Sequence, residues 1–521
     1  MRIGGSSLGG SSFGMLPGLL RRFAVALVIV ATGVHAEPPD TDMAMKNVPW
    51  DSVTALAREF VQKESPPGAW PFARLTDAER QSARNKVFVH YFPPYPISID
   101  NRPIDRDHWA LDYLRREGEG GKHADVGGFA RQRPLPTHPW DSPYWKEINA
   151  AVEVLRAHVM GADGFGVDIV RIDKHEYWDQ ARRICGAAAA LNVGFYFVPE
   201  VDAAILSKAT TDQIADATAT LLSCPAAYRL PDGRYLLVPF APNNETPAYW
   251  SEVIGKLQAR GLPIAFVPDL LGFEQNAPLF APISAGLTFW GHKDVVEAGS
   301  ATTVEAERRA ASLGPFWMHP IATQDARPGP VVFWEAQNTA LLRTLWKQAI
   351  DNNYRYAHLI TWNDYGEGTE FEPSSGSQFV FYDLTAYFID QYKAGRAPAI
   401  LNDAIYYTHR IELFAPGRSP AAGDKPFRKL GTAPLTNDVE MVALLRAPAT
   451  LRIVQGDKAA SLDVGPGLQV LRTRAVPGAP TFQILRAGQV VVQTVSNWTI
   501  VNEADKATPD YFGGESTRPI E

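Results

Sequence analysis

Short apolar runs alternate with segments of helical periodicity between residue 86 and about residue 395. The runs are rich in Val, Phe and Ile, and each has the length of one buried strand. Alternation of this kind is typical of βαβ units and predicts a parallel sheet. The eight predicted strands span residues 86–92, 164–170, 193–199, 235–240, 263–268, 285–290, 315–319 and 356–362.

Helical periodicity fills the intervals between these strands. Eight strands with intervening helices predict an α/β fold, a (β/α)8 TIM-type barrel over residues 85–400. Two long segments rich in Gly and Pro, 100–145 and 320–335, follow the first and seventh strands. We expect both to rise over the carboxyl ends of the strands, where barrel active sites are built. The clearest predicted helices span residues 145–158, 177–191, 249–260 and 339–352.

The pattern changes after about residue 435. Five short alternating runs with turn residues between them cover 439–445, 449–454, 467–472, 481–485 and 490–494. They predict an antiparallel β-sandwich. The predicted organisation is a signal peptide at 1–36, an N-terminal extension at 37–84, the barrel at 85–400, a linker at 401–434, the β-sandwich domain at 435–502 and a tail at 503–521.

The N-terminus has the layout of an export signal. Arg21 and Arg22 precede an apolar run at 23–32, and the small residues around Ala36 offer a cleavage site before Glu37. The run is too short for a permanent membrane anchor. The arginine pair also resembles a twin-arginine signal. We expect a periplasmic or secreted protein with no membrane span after cleavage.

Composition and charge narrow the classes of function. A chain of 521 residues, 45% hydrophobic and 21% charged, has room for two or three globular domains. Its formal net charge of −7 argues against a nucleic-acid partner, because no basic surface is available to neutralise phosphates. The 13 tryptophans fit either large aromatic cores or rings that stack on sugars. Cys185 and Cys224 either pair or stand as two small buried residues.

The eighth predicted strand runs directly into carboxylates, aromatics and glycines at 362–370. Asp364 and Glu367 are three residues apart, and a turn at Gly366 and Gly368 would bring both into one cavity. Cleavage of a glycosidic bond requires two carboxyl groups, one to protonate the leaving oxygen and one to activate water or attack the sugar. The alternative interpretation is a solvated turn, in which acidic residues are common.

The run HLITWNDYGEG at 358–368 resembles the motif of glycoside hydrolase family 71, the α-1,3-glucanases or mutanases. Residues 87–91 resemble the first strand of that family, and residues 161–168 resemble its second strand. The likeness spans residues 86–395. It implies a (β/α)-barrel that hydrolyses an α-linked polysaccharide, above all α-1,3-glucan, with inversion.

The catalytic pair of the family falls on Asp364 and Glu367. By analogy, Asp364 is the base that activates water and Glu367 is the acid that protonates the departing oxygen. Inversion leaves room for a water, so the two carboxyl groups are expected about 6.5–9.5 Å apart.

Two stretches depart from this family. Residues 92–95 read FPPY after the first strand, and residues 368–373 read GTEFEP after Glu367. The second stretch is similar to glycoside hydrolase family 99, the endo-acting α-mannosidases and mannanases. An α-mannan hydrolase is therefore an alternative. A polysaccharide-binding barrel without activity is an alternative from another class.

Further polar and aromatic residues lie near predicted strand ends, where barrels collect site residues. A buried histidine with satisfied hydrogen bonds is the competing interpretation for several of them. The histidines lack His-x-x-x-His spacing, so we expect neither a metal nor another cofactor. The predicted substrate-binding residues are His90, Tyr91, Asp168, Glu200, Asp202, Trp290, His292, His319, Trp362, Asn363 and Tyr365.

Overall fold

Parallel strands alternate with helices from residue 86 to residue 394, as the sequence pattern predicts. The computed structural model describes residues 37–66, 68–419 and 423–518, and the predicted signal peptide at 1–36 lies outside the described residues. The strands are β1 Lys86–Tyr91, β2 Gly164–Ile169, β3 Tyr196–Val201, β4 Tyr235–Leu237, β5 Ile264–Phe266, β6 Asp269–Leu270, β7 Thr288–Phe289, β8 Met318–Ala322, β9 Asp325–Arg327, β10 Val332–Trp334, β11 Tyr356–Ile360, β12 Ala404–His409, β13 Arg428–Leu430, β14 Asp438–Leu445, β15 Ala449–Gln455, β16 Lys458–Val464, β17 Gly467–Arg474, β18 Thr481–Arg486, β19 Gln489–Val495 and β20 Phe512–Glu515.

Most of the longer helices bury an apolar face in the core. In the N-terminal extension, for example, Val53, Ala57 and Val61 repeat at four-residue spacing and are all buried. None of the described helices has the length and hydrophobicity to cross a membrane. The helices are α1 Trp50–Glu64, α2 Asp77–Ser82, α3 Gly118–Gly121, α4 Trp145–Met160, α5 Glu176–Leu191, α6 Thr211–Leu221, α7 Pro247–Ala259, α8 Phe273–Phe280, α9 Val295–Gly299, α10 Ala301–Ala311, α11 Ala340–Asp351 and α12 Val380–Ala394.

Five strands form one parallel sheet in the order β3-β2-β1-β11-β8. Two shorter parallel pairs, β4–β5 and β6–β7, continue the arrangement. Single parallel bridges join the pieces: Asp202 to Phe240, Phe240 to Asp269, and Leu287 to Trp317. Strands that follow one another in the chain are therefore mostly neighbours in space, as is typical of βα units.

Alternation along each strand sorts side chains between two environments. On β1, Phe88 and His90 point to one side, while Val87, Val89 and Tyr91 belong to the large core shared with the helices. Phe88 belongs to an apolar layer in the sheet interior, and His90 lies two residues nearer the carboxyl end. The apolar layer consists of Phe88, Val198, Tyr228, Leu230, Leu236, Val238, Ala265, Val267, Ala285, Met318 and Tyr356.

The C-terminal region contains two antiparallel four-stranded sheets, β17-β14-β12-β20 and β16-β15-β18-β19. Side chains from both sheets share one core, in which Tyr407 stacks on Phe482 at 4.6 Å. The neighbouring Tyr406 faces the opposite way and joins the core of the parallel sheet. The antiparallel sheets extend beyond the predicted sandwich, since β12 lies within the predicted linker at 401–434 and β20 within the predicted tail at 503–521.

The two cysteines are disulfide-bonded. The bond joins Cys185 in α5 to Cys224, just after α6, with Cα atoms 5.9 Å apart. Both residues are buried. Of the two interpretations that the sequence left open, the structure has the paired one.

Candidate active site

A tight turn after β11 carries the predicted catalytic pair. The Asp364 backbone N–H donates to Thr361 Oγ1 at 2.8 Å, which fixes the start of the turn. The Asp364 carboxylate accepts through Oδ1 from the backbone N–H groups of Gly366 at 3.0 Å and Glu367 at 3.1 Å. Both carboxyl side chains end up in the protein interior, since Asp364 and Glu367 are each only 6% exposed.

A hairpin formed by β9 and β10 covers this turn. Arg327 Nη1 lies 2.6 Å from Glu367 Oε1, and the same guanidinium donates to both oxygens of Asp325 at 2.8 and 2.7 Å. The Ala326 backbone N–H donates to the Glu367 carbonyl at 2.8 Å. The hairpin lies in the segment predicted to rise over the site, residues 320–335.

The two carboxyl groups have different acidities. Burial raises the pKa of Asp364 to about 6, against the opposing effects of Arg327 and of the two backbone N–H groups. Burial raises the pKa of Glu367 further, to about 8, and the nearby Asp364 adds to this rise while Arg327 opposes it. Near neutral pH the pair therefore holds one carboxylate and one carboxylic acid, the combination that general acid–base catalysis requires.

A buried polar layer lies beneath the turn, one step above the apolar layer of the interior. His90 Nδ1 lies 2.5 Å from Glu200 Oε2, and His358 Nε2 lies 3.1 Å from Glu200 Oε1. Asp269 Oδ2 lies 3.7 Å from His358 Nδ1. The ligand-type atoms of His90, Glu200 and His358 all lie within 4.8 Å of one another, a set that a cation could also use.

Two predicted acids border this layer. Asp168 Oδ2 lies 3.8 Å from His90 Nε2, and burial, with Asp202 and Glu200 nearby, raises the pKa of Asp168 well above its ordinary value. Asp202 accepts through Oδ1 from the backbone N–H groups of Ala204 at 2.8 Å and Ile205 at 2.9 Å. Asp202 therefore caps the turn after β3, whereas Asp168 faces the histidine.

Trp290 and Lys293 form the side of the site that follows β7. The Trp290 ring contacts the His90 ring edge-on at 4.8 Å and Phe240 at 4.5 Å. Lys293 is 6% exposed, its ammonium lies 5.5 Å from the Trp290 ring centre, and it has no hydrogen-bond partner among the described residues. Burial lowers the pKa of Lys293 to about 8, while Asp325 and Glu367 oppose the fall.

Four predicted residues point away from this group. Tyr91 lies on the other face of β1 from His90, and its hydroxyl donates to Glu153 of α4 at 2.5 Å. The Trp362 ring packs in the helix-side core against Phe165 at 5.3 Å. His292 and His319 lie 3.3 and 3.7 Å from the carboxylate of Glu307 in α10. Alternation explains the placement of Tyr91 on β1 and His319 on β8, because only every second residue of a strand faces inward. Trp362 and His292 follow β11 and β7 and lie outside the strands.

Two more predicted residues support the site without lining it. The Asn363 side chain accepts from the Phe92 backbone N–H at 2.8 Å and donates to the Tyr95 carbonyl at 2.8 Å, which ties the first loop to the turn. Tyr365 packs on Trp109 at 5.2 Å. Both are fully buried. Their contacts are structural and hold the turn between the β1 loop and the 100–145 segment.

The sequence prediction omitted several residues of the site. Arg327 and Asp325 come from the 320–335 segment, whose length and position were the available signal. Lys293 directly follows the predicted His292. His358, also omitted, lies on the eighth predicted strand and within the run HLITWNDYGEG. Its only signal in the sequence is a position among the alternate residues of the strand that face inward.

A separate cavity of about 400 Å³ opens at the other end of the parallel strands. Its lining comes from residues that precede strands, such as Arg84 before β1, Arg234 before β4 and Arg355 before β11. None of the residues that line it belongs to the turn or to the polar layer. The candidate active site therefore lies at the carboxyl ends of the strands, opposite this cavity.

Comparison with known proteins finds relatives of this chain among the glycoside hydrolases. A glucan endo-1,3-alpha-glucosidase of Schizosaccharomyces pombe is 22% identical over 379 residues, covering 68% of this chain and 86% of that protein. A mutanase of Penicillium rubens is 24% identical over 373 residues, covering 67% and 79%. An endo-alpha-mannosidase of family GH99 from Bacteroides thetaiotaomicron has 13% identity and a TM-score of 0.45, covering 59% of this chain and 98% of its own. The profile of glycosyl hydrolase family 71 matches residues 141–511, most of the sequence. This chain belongs to glycosyl hydrolase family 71 and is a glycoside hydrolase.

Proposed function

We propose that this glycoside hydrolase cleaves α-1,3-glucan with inversion, using Asp364 as the base and Glu367 as the acid. The observation that carries the proposal is the asymmetric environment of the Glu367 carboxyl group. Its Oε1 contacts Arg327, while its Oε2 is buried without a hydrogen-bond partner among the described residues.

The contact with Arg327 determines which oxygen carries the proton. A guanidinium has only donors, so Oε1 must accept. When Glu367 is protonated, the proton therefore resides on Oε2. Burial favours this protonated form, with a pKa of about 8. Oε2 is then the oxygen that would protonate the departing glycosidic oxygen.

Asp364 is suited to the role of base. Two backbone N–H groups engage its Oδ1, which orients the carboxylate and leaves Oδ2 for a water molecule. With a pKa of about 6, the group is ionised when Glu367 still holds its proton. In inversion the base activates a water on the opposite face of the sugar from the acid. Product with inverted anomeric configuration is the expected result.

The substrate assignment rests on the relatives. Both fungal proteins described above carry names that specify 1,3-alpha-glucan or mutan cleavage, and each matches this chain over about two thirds of its length. The GTEFEP stretch after the turn keeps α-mannan as the alternative substrate. The polysaccharide-binding barrel without activity, the alternative from another class, is set aside because the chain belongs to glycosyl hydrolase family 71.

Fold closure, domain boundaries and export belong to the same proposal. We propose that the parallel strands close into a (β/α)8 barrel, because the single bridges between the sheet pieces are all parallel. We keep the predicted barrel at 85–400 and the sandwich at 435–502, with β12 and β20 added to the latter.

Export through the signal at 1–36 is supported by the disulfide, since such bonds persist in oxidising compartments.

Release of reducing ends tests the proposal. The full chain is incubated with α-1,3-glucan, α-mannan and a β-glucan control, and the anomeric configuration of the first products is followed by NMR. Cleavage of α-1,3-glucan with inversion is expected. Release from α-mannan alone would replace the substrate, retention would replace the mechanism, and release from none of the three polysaccharides would overturn the proposed substrate.

A further inference from the structure

The buried polar layer connects residues from four different strands. His90 on β1, Glu200 on β3, His358 on β11 and Asp269 on β6 contact one another in sequence at 2.5, 3.1 and 3.7 Å. All four are nearly inaccessible to solvent. Burying titratable groups this deeply costs free energy unless they form hydrogen bonds or ion pairs with one another. The arrangement of these four groups therefore requires a physical reason.

The charges along the chain can be assigned. Burial raises the pKa of Glu200, but His358 and His90 reverse this effect and bring it to about 2. Burial lowers the pKa of His358, but Glu200 outweighs it and the net shift is upward. Burial lowers the pKa of His90 below its ordinary value despite Glu200. The result is an anionic Glu200 between His358, whose charged form is favoured, and His90, whose neutral form is favoured.

This arrangement selects one tautomer of His90. An ionised carboxylate only accepts, so the ring nitrogen 2.5 Å from Glu200 must carry the proton. That nitrogen is Nδ1. In a neutral imidazole the other nitrogen is then an acceptor, so His90 Nε2 presents a lone pair. Nε2 has no hydrogen bond to any of the residues described.

Asp168 faces this lone pair across a gap. Its Oδ2 lies 3.8 Å from His90 Nε2, too far for a direct hydrogen bond. Its Oδ1 is buried and unpartnered among the described residues. Burial raises the pKa of Asp168 well above its ordinary value, which favours the protonated carboxyl group, a hydrogen-bond donor. The turn that carries the proposed base is tied to this strand end, because the Trp362 backbone N–H, two residues before Asp364, donates to the His90 carbonyl at 2.6 Å.

We propose that His90 Nε2 and the Asp168 carboxyl group together bind one ring hydroxyl of the sugar next to the cleaved bond, with His90 held in position by Glu200 and His358. An alcohol donates one hydrogen bond and accepts others, so it complements an acceptor and a donor. The Trp290 ring, 4.8 Å from His90, forms a wall beside the hydroxyl. The inference rests on the proposed function and assigns the two groups that bind one hydroxyl of the substrate.

A cation in the same layer is the competing explanation. The hydrogen bond between His90 Nδ1 and Glu200 Oε2 argues against it, because a protonated Nδ1 has no lone pair to offer a cation. Two atoms bound to one zinc ion at about 2.0–2.2 Å each would also lie farther apart than these two atoms. The proposal therefore expects less than stoichiometric metal in the purified full-length enzyme.

Two substitutions of His90 distinguish the roles of its two ring nitrogens. His90→Asn keeps a donor near Glu200 and loses the Nε2 acceptor, whereas His90→Gln places an amide oxygen near the Nε2 position and loses the Glu200 contact. We expect His90→Asn to lower kcat/KM by about 10–100-fold, the scale of one or two hydrogen bonds. Asp168→Asn retains a donor and should retain more activity than Asp168→Leu. His319→Gln, another fully buried histidine on β8, is the matched control.

The probes are α-1,3-linked oligosaccharides that each lack one ring hydroxyl. For the oligosaccharide that lacks the bound hydroxyl, His90→Asn should lower kcat/KM by less than about threefold, because the hydroxyl and its acceptor are then both absent. His319→Gln should affect all probes equally. Affinities measured in the Glu367→Gln background, without turnover, provide the same comparison. Histidine ¹⁵N spectra of the whole enzyme should show a neutral His90 with its proton on Nδ1.

The outcomes distinguish the two proposals. Equal losses on every probe, an Nε2–H tautomer, or stoichiometric metal lost on His90 substitution would each overturn the hydroxyl site. Absence of hydrolysis by the unmodified enzyme would overturn the proposed function instead. In that case the binding measurements still decide whether His90 and one hydroxyl are coupled.

Discussion

Arg327 lies 2.6 Å from Glu367 through Nη1 while its Nε and Nη2 atoms hold Asp325. The guanidinium is therefore fixed by one carboxylate and offers its remaining edge to the other. In the proposed mechanism Glu367 gives up its proton, and this cation then stabilises the carboxylate that forms. The contact therefore stabilises the ionised form of Glu367. Burial has the opposite effect and favours the protonated form before the reaction.

Neutral amides at the two proposed catalytic positions should abolish most turnover. Glu367→Gln cannot give a proton, and Asp364→Asn cannot accept one from water. We expect each to reduce kcat by at least about 10²-fold, the usual scale of acid–base catalysis. Release of reducing ends measures the loss, and circular dichroism verifies the fold. Near-normal turnover in either variant would remove that residue from the mechanism.

The rate should follow a bell-shaped pH profile. Asp364 must lose its proton to act, so kcat/KM falls as pH drops through its pKa of about 6. Glu367 must keep its proton, so kcat/KM falls as pH rises through its pKa of about 8. Initial rates between pH 4 and 10 test this. A rate that keeps rising above pH 9 would contradict the assignment of Glu367 as the acid.

Removal of the Arg327 charge should shift the pH profile of the rate to higher pH. Arg327 opposes the rise in the pKa of both carboxyl groups, so Arg327→Met raises both values. We expect both limbs of the bell to move to higher pH, and the maximal rate to fall because the ionised acid loses its counter-charge. Arg327→Lys, which keeps the charge, is the control. Limbs that stay in place in Arg327→Met would show that the contact does not act on the pair.

The residues of the candidate site that are close together in the sequence could be predicted from it, and those that are far apart in the sequence could not. Asp364 and Glu367 lie in one turn, so spacing and a strand end were enough to pair them. Arg327 reaches Glu367 only because a hairpin folds back, which no local pattern specifies. Strand alternation explains the misplaced candidates. His90 and Tyr91 are adjacent, so only one can face inward, and the inward choice depends on Phe88 packing in the interior.

Gly166 leaves the space that Glu200 occupies. A Cβ atom on Gly166 would overlap the Glu200 carboxylate, which is held between two histidines and has no room to retreat. Gly166→Ala should destabilise the fold by about 1–3 kcal/mol, as overpacking does, and also lower activity. Gly255→Ala is the control, because a Cβ there meets nothing within 4 Å and a helix favours alanine. Thermal unfolding compares the two, and equal stability would contradict the packing argument.

The disulfide should contribute stability without touching the chemistry. It closes a loop of 39 residues, for which chain entropy in the unfolded state gives about 3–4 kcal/mol. Replacing Cys185 and Cys224 together by alanine should lower the melting temperature while kcat at 25 °C stays near its original value, since neither residue lies near Asp364 or Glu367. A reductant should lower the melting temperature of the unmodified enzyme and leave the double variant unchanged. If reductant affects neither protein, the thiols are not paired in solution, and the support that this bond lends to export is lost.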